Sequence, residues 1–197
     1  MPAGCTGLVL RGLRKEPATI GKWHLGWDLT YKEGKAKTVD NIDFTKRVAN
    51  GPTDRGFDYF YGLTSPSGPP HLYMVNDMAE KQPNTRFEES GGGLYKIKGG
   101  IGHSDWSADG MQPHLADKML EYLDENKDSD KPFFLYMALT APHIPLFPSK
   151  EFKGKSKIGD YGDLVMMIDD IVGRVNRKLK EIGKYDNTIV MFAADNG

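Results

Sequence analysis

The sequence runs to 197 residues, 39% of them hydrophobic and 27% charged, the profile of a folded globular chain and not of a disordered one. Its 26 basic residues against 27 acidic ones leave a formal charge of −1, without the basic excess that a nucleic-acid binder carries. No apolar run is long enough to span a bilayer, the N-terminal apolar stretch covers only Leu8 to Leu10 and lacks the form of a signal peptide, and a lone cysteine, Cys5, allows no disulfide within the chain.

In chain order, the first structured stretch is "TIGKWHLG" at 19–26. The residues around Thr19 and Ile20 read as a short strand, with Lys22 and His24 at its end between two glycines. The region 28–112 is poor in periodicity and holds "TSPSGPP" (64–70) and "GGGLYKIKGG" (91–100), both loop chemistry. The triple glycine lacks the strand–loop–helix context of a phosphate-cradling loop and reads as a plain connection. From 113 to 127, "PHLADKMLEYLDENK" sets Leu115, Met119, Leu120 and Leu123 at helical spacing behind a first-turn proline. "KPFFLYMAL" (131–139) then reads as a buried strand, and the lysine-rich 150–157 as a solvated loop. Residues 160–182 place Tyr161, Leu164, Val165, Ile168, Ile171, Val172, Val175, Leu179 and Ile182 three and four apart, an amphipathic helix that Gly183 closes. The last element, "TIVMFAA" at 188–194, reads as a second buried strand.

Helix, strand, helix, strand is the rhythm of an α/β domain, with a largely parallel sheet flanked by helices. No internal repeat and no compositional break divides the chain. Its loop-like opening and its close directly after an apolar strand lead us to expect a fragment, incomplete at both ends. A sheet without its first strand would expose an unpaired edge, so the isolated chain is expected to be poorly soluble or partly molten.

Open α/β sheets bind ligands beyond the carboxyl ends of their strands. Three polar clusters fall there: Lys22 and His24, His143 in "APH", and Asp195 with Asn196 in "DNG". Each has a plain structural alternative. Lys22 could be a solvated lysine, His24 a satisfied core histidine, His143 part of a rigid turn between Pro142 and Pro145, and 195–197 an ordinary turn. Convergence of all three on one rim outweighs any one alternative. A carboxylate beside an amide carbonyl also offers the oxygen donors that calcium takes.

At this point "GKWHLG", "GFDYFYG" (56–62), "KPFFLYMALTAPHIPL" (131–146), "GDYGDLVMMIDDIVGRV" (159–175) and "NTIVMFAADNG" (187–197) together resemble the type I sulfatases, arylsulfatase-like members of the alkaline phosphatase superfamily. The likeness runs in order along most of the chain and is weakest over 64–112. It implies an alkaline phosphatase-like core and hydrolysis of sulfate monoesters, with 1–197 forming part of one catalytic domain. Lys22 and His143 would contact the sulfate, His24 and His143 would act catalytically, and Asp195 and Asn196 would ligate calcium. The implied nucleophile is a formylglycine made from the cysteine of a "C-x-P-S-R" segment. Cys5 does not match that segment, because Gly7 replaces the proline and Val9 the arginine, and it lies too close to Lys22. The nucleophile is therefore expected upstream of this chain, together with the paired aspartates that complete the calcium site. The lysine that should follow "DNG" is also lacking.

A sulfated small molecule or glycan is the implied partner, and the resemblance points to a periplasmic or secreted setting. Two other readings stay open on the residues: a phosphodiesterase or phosphonate hydrolase of the same superfamily, and a non-catalytic remnant that binds sulfated glycan through Lys22, His143 and 150–157.

Overall fold

The computed structural model describes residues 16–194. Strand β1, Glu16–Lys22, lies between β2, Tyr59–Leu63, and β7, Phe133–Ala138, and runs parallel to both. Two short strands, β3 (Met74–Val75) and β4 (Met78–Ala79), continue the sheet antiparallel beyond β2, in the order β4-β3-β2-β1-β7. Strands β5 (Thr85–Phe87) and β6 (Gly100–Gly102) form a separate ribbon. The sheet is therefore mixed. Its three longer strands are parallel, as the α/β rhythm predicts, and only the short β3 and β4 depart from it.

Helices α1, Met111–Glu125, and α2, Asp160–Glu181, both pack on one face of this sheet. Pro113 stands in the first turn of α1, where its missing N–H has no intrahelical acceptor to lose. The end of α2 follows from Gly183, whose φ of 69° is readily reached only by glycine among common residues. Gly183 N–H donates to Lys180 O at 3.1 Å and Lys184 N–H to Leu179 O at 2.9 Å, the paired bonds of a Schellman cap.

Alternation along the strands decides what the helices cover. Ala18 and Ile20 of β1 and Tyr61 and Leu63 of β2 are buried against Leu115 and Met119 of α1 and Leu164, Met167 and Ile171 of α2. Phe60 and Met74 point the other way, where Ile42, Phe44 and Val48 of the long connection after β1 cover them. Arg47 holds that connection by ion pairs to Asp54, at 2.6 Å, and to Asp77. Its order comes from such distant contacts, and this is why the sequence pattern of 28–112 is weak.

Two expectations need correction. The strand expected at 131–139 forms as β7, but among the described residues it is the outer strand of the sheet, with Tyr136 53% exposed. The strand expected at 188–194 is absent: Ile189, Met191 and Phe192 are 87%, 82% and 69% exposed, and these residues take no helix or strand conformation. An apolar run forms a strand only where a ladder partner and covering side chains meet it, and no described strand pairs with this one.

Candidate active site

The carboxyl ends of β1, β2 and β7 meet unusually closely. A Cβ on Gly21 would lie 2.0 Å from Ala138 O, and one on Gly62 only 1.8 Å from Gly21 O. Gly21 also has a φ of 133°, which a larger side chain rarely adopts. This glycine seam lies directly before Lys22 and fixes where the chain leaves the sheet. Trp23 N–H then donates to Leu63 O at 2.8 Å, which carries the pairing one residue past the strand.

Beyond the seam the side chains separate by chemistry. Trp23 is buried, edge-on to Phe57 at a centroid distance of 6.3 Å, and its Nε1–H donates to Gly26 O at 3.3 Å. Lys22 is half-buried and His24 exposed. The strand that leads into this exit is central in the sheet, between β2 and β7.

His143 comes from a second strand end, on the turn after β7. Its N–H donates to Thr140 O at 3.1 Å. Its Nδ1 lies 2.6 Å from Ile144 O, and a carbonyl can only accept, so Nδ1 carries the proton. The Nε2 of a neutral His143 is thereby left with its lone pair.

The three residues share one electrostatic environment. The proton affinity of His24 lies below that of an ordinary histidine, first because of burial, then because of the positive charge of Lys22, then because of His143. Residues 119 positions apart in the chain, His24 and His143, therefore sense each other across the rim. Lys22 brings a positive charge to this rim, and the lowered proton affinity of His24 favours its neutral, proton-accepting form. Asp195 and Asn196, with Cys5, lie outside the described residues. Among the described residues, no group of three or more His, Cys, Asp or Glu side chains is arranged to hold a metal ion.

Sequence reasoning missed the residue that supports the His143 turn. Gln112, in the first turn of α1, is 2% exposed, and the N–H groups of Ala141 and Thr140 face its amide at 2.7 and 3.2 Å. Its position at the start of an amphipathic pattern was the one available signal: a glutamine where an apolar residue would suit the core.

A second polar cluster stands apart from this rim. Tyr61 Oη lies 2.7 Å from Glu80 Oε2 and 2.6 Å from His114 Nε2. Glu80 and His114 border a cavity of about 310 Å³ that Tyr73, Lys81, His103 and Asp105 also line. Burial pushes the Tyr61 phenol up, aided by its bond to Glu80, and burial lowers the proton affinity of His114. The lysines of 150–157 are exposed, in keeping with a solvated loop.

A mixed sheet with helices on one face thus carries Lys22, His24 and His143 at or just beyond the carboxyl ends of two of its parallel strands. The sulfatase family model matches residues 9–197, and the chain belongs to that family. It is 31% identical over 193 residues to N-acetylgalactosamine-6-sulfatase of Sus scrofa, covering 96% of this chain and 32% of that protein. It is 27% identical over 210 residues to N-acetylgalactosamine-6-O-sulfatase of Bacteroides thetaiotaomicron, covering 90% and 39%. The chain thus spans about a third of these relatives. A solved Bacteroides thetaiotaomicron structure, described under metabolism of multiple glycosaminoglycans, superposes with a TM-score of 0.70 at 23% identity, over 91% of this chain and 42% of that one. The fold is that of the alkaline phosphatase-like sulfatases.

Proposed function

We propose that this chain is the part of a sulfuric ester hydrolase that receives the sulfate, and that the substrate is a sulfated glycan. One observation carries the reading: Lys22, His24 and His143, from two neighbouring parallel strand ends, gather at one rim in a chain of the sulfatase family. The names of the relatives, with sulfated N-acetylgalactosamine in several, support the glycan as substrate class.

Lys22 neutralises the charge of the bound ester. The charge on its oxygens grows as the S–O bond breaks, and a fixed cation at that place lowers the barrier. His24, neutral at pH 7, accepts a proton on the nucleophile's side. His143, whose Nδ1–H is held by Ile144 O, offers Nε2 to the sulfate or to the leaving oxygen. Asp195 and Asn196 would hold calcium through a carboxylate and an amide oxygen, donors that suit it, and the ion would supply further positive charge toward the sulfate. A formylglycine nucleophile would complete the site.

The test is hydrolysis of an aryl sulfate and of a sulfated amino sugar by the full-length protein. Lys22→Ala should lower kcat/KM by about 10²–10³, in both binding and rate. His24→Ala should lower kcat more than it raises KM, because its partner is the nucleophile. Lys22→Ala with wild-type kcat/KM would overturn the reading. So would cleavage of a phosphodiester with no turnover of any sulfate ester, the outcome of the phosphodiesterase alternative.

A further inference from the structure

Polar side chains are seldom buried unless their hydrogen bonds are met, so Gln112 raises the question of what it holds. It is 2% exposed, beside the buried Met111 in the first turn of α1. The two groups facing it, Ala141 N at 2.7 Å and Thr140 N at 3.2 Å, are both donors, which assigns the amide oxygen to that side. Thr140 is itself only 4% exposed, and its carbonyl accepts the N–H of His143 at 3.1 Å. Hydrogen bonds to one α1 side chain therefore hold the turn after β7, and the last bond of that chain of contacts ends on His143.

We propose that Gln112 is a positioning residue: its amide oxygen fixes the Thr140–Ala141 backbone and thereby aims the imidazole of His143 into the rim. The inference rests on the role given to His143 above. Reacting groups displaced by about 1 Å can lose about a hundredfold in rate, so a buried prop of this kind matters without touching substrate.

The test uses the full-length protein and two substitutions. Gln112→Met fills the same space but leaves two buried N–H groups without an acceptor. Gln112→Glu keeps an acceptor oxygen in either protonation state. Sulfate ester hydrolysis by Gln112→Met should fall about 10- to 100-fold in kcat with little change in KM, and Gln112→Glu should recover most of that loss. In a His143→Ala background, Gln112→Met should cost no more than about twofold further, because both act through one group. A merely structural glutamine would instead give losses that multiply, and that result overturns the proposal, as does wild-type kcat in Gln112→Met.

Amide hydrogen exchange gives a readout independent of the reaction. Thr140 and Ala141 N–H should be protected in the wild type and in His143→Ala, and lose protection in Gln112→Met. Unchanged protection in Gln112→Met overturns the proposal. If protection is lost in Gln112→Met while His143→Ala hydrolyses sulfate esters normally, the hold of Gln112 on the turn stands and the role of His143 falls.

Discussion

The two flanks of β1 are equally apolar in sequence and differ in structure. On the β2 side, Ile20, Phe60, Tyr61 and Leu63 are at most 1% exposed, sealed by α1 and α2 on one face and by the 27–57 connection on the other. On the β7 side, Tyr136 is 53% exposed, and in the separate 188–194 segment Ile189, Met191 and Phe192, as apolar as any core residue, stand in solvent. Burial is thus a property of what meets a segment. The same composition closes a core where strand ladder, helix face and covering loop coincide, and stays open where they do not.

The sharpest way to break the sealed flank is at its glycine seam. Gly62→Val places a Cβ about where Gly21 O already lies, 1.8 Å away, and neither backbone atom can give way without parting β1 from β2. A loss of more than about 4 kcal/mol is expected, read as unfolding at room temperature by far-UV circular dichroism. Because the seam sets the exit of Lys22, a folded Gly62→Val protein with intact anion binding would show that strand proximity does not build the rim.

Next in size is Leu115→Ala. Leu115 is fully buried between α1 and the sheet. Removing three carbons from such a site costs about 2–5 kcal/mol, according to how far the cavity collapses. Urea unfolding should show a lower midpoint with an unchanged slope. A change under about 1 kcal/mol would mean that the helix face is not closed as described.

Much of this flank was legible beforehand, for physical reasons that differ by residue. The register of Leu164, Ile168, Ile171 and Val175 and the stop at Gly183 gave α2 almost to the residue, because helix periodicity and capping are local. The placement of Lys22, His24 and His143 at or just past strand ends was legible because they follow apolar stretches directly. The two-residue strands β3 and β4 were not, since so short a run carries no period, and the 28–58 connection was not, since Phe44 and Val48 are buried by partners far along the chain. Gln112 stayed hidden because a single polar residue within a helix pattern reads as a surface position until its neighbours are known. For 188–194 the local signal was strong and the outcome different, because a strand also needs a partner that local signal does not contain.

Acid should loosen the sealed flank before the open one. His71, 1% exposed, packs against Trp106 at a centroid distance of 4.4 Å, and its Nε2–H donates to Lys98 O at 2.8 Å. Its Nδ1 has no hydrogen-bond partner among the described residues, so protonation would bury a charge with an unmet donor. Burial holds its proton affinity below the usual value of 6.5. The unfolded chain therefore binds that proton first as pH falls: stability is full above about 6.5 and declines below it, toward the folded-state value. His114, also lowered by burial, adds to the same decline. Urea midpoints measured between about pH 7 and pH 5 should fall, and His71→Phe should flatten part of that slope while His114 keeps the rest. An unchanged slope in His71→Phe would show that His71 titrates normally in the fold.

The smallest effect is expected in the exposed 188–194 segment, and it sharpens the contrast most. Phe192 is 69% exposed and lies outside every hydrophobic cluster among the described residues. In the 197-residue chain, Phe192→Ser removes no buried contact, and surface substitutions of this kind stay within about 0.5 kcal/mol. The visible change should be in solubility, since Ile189, Val190, Met191 and Phe192 together expose an apolar strip of the sort that drives association. Light scattering at fixed concentration should fall while the urea midpoint stays where it was. Where the segment has a ladder partner and covering side chains, the same substitution becomes a core truncation costing about 3–5 kcal/mol. A loss of that size in the 197-residue chain would mean that 188–194 is already buried there, and its contrast with the sealed flank would disappear.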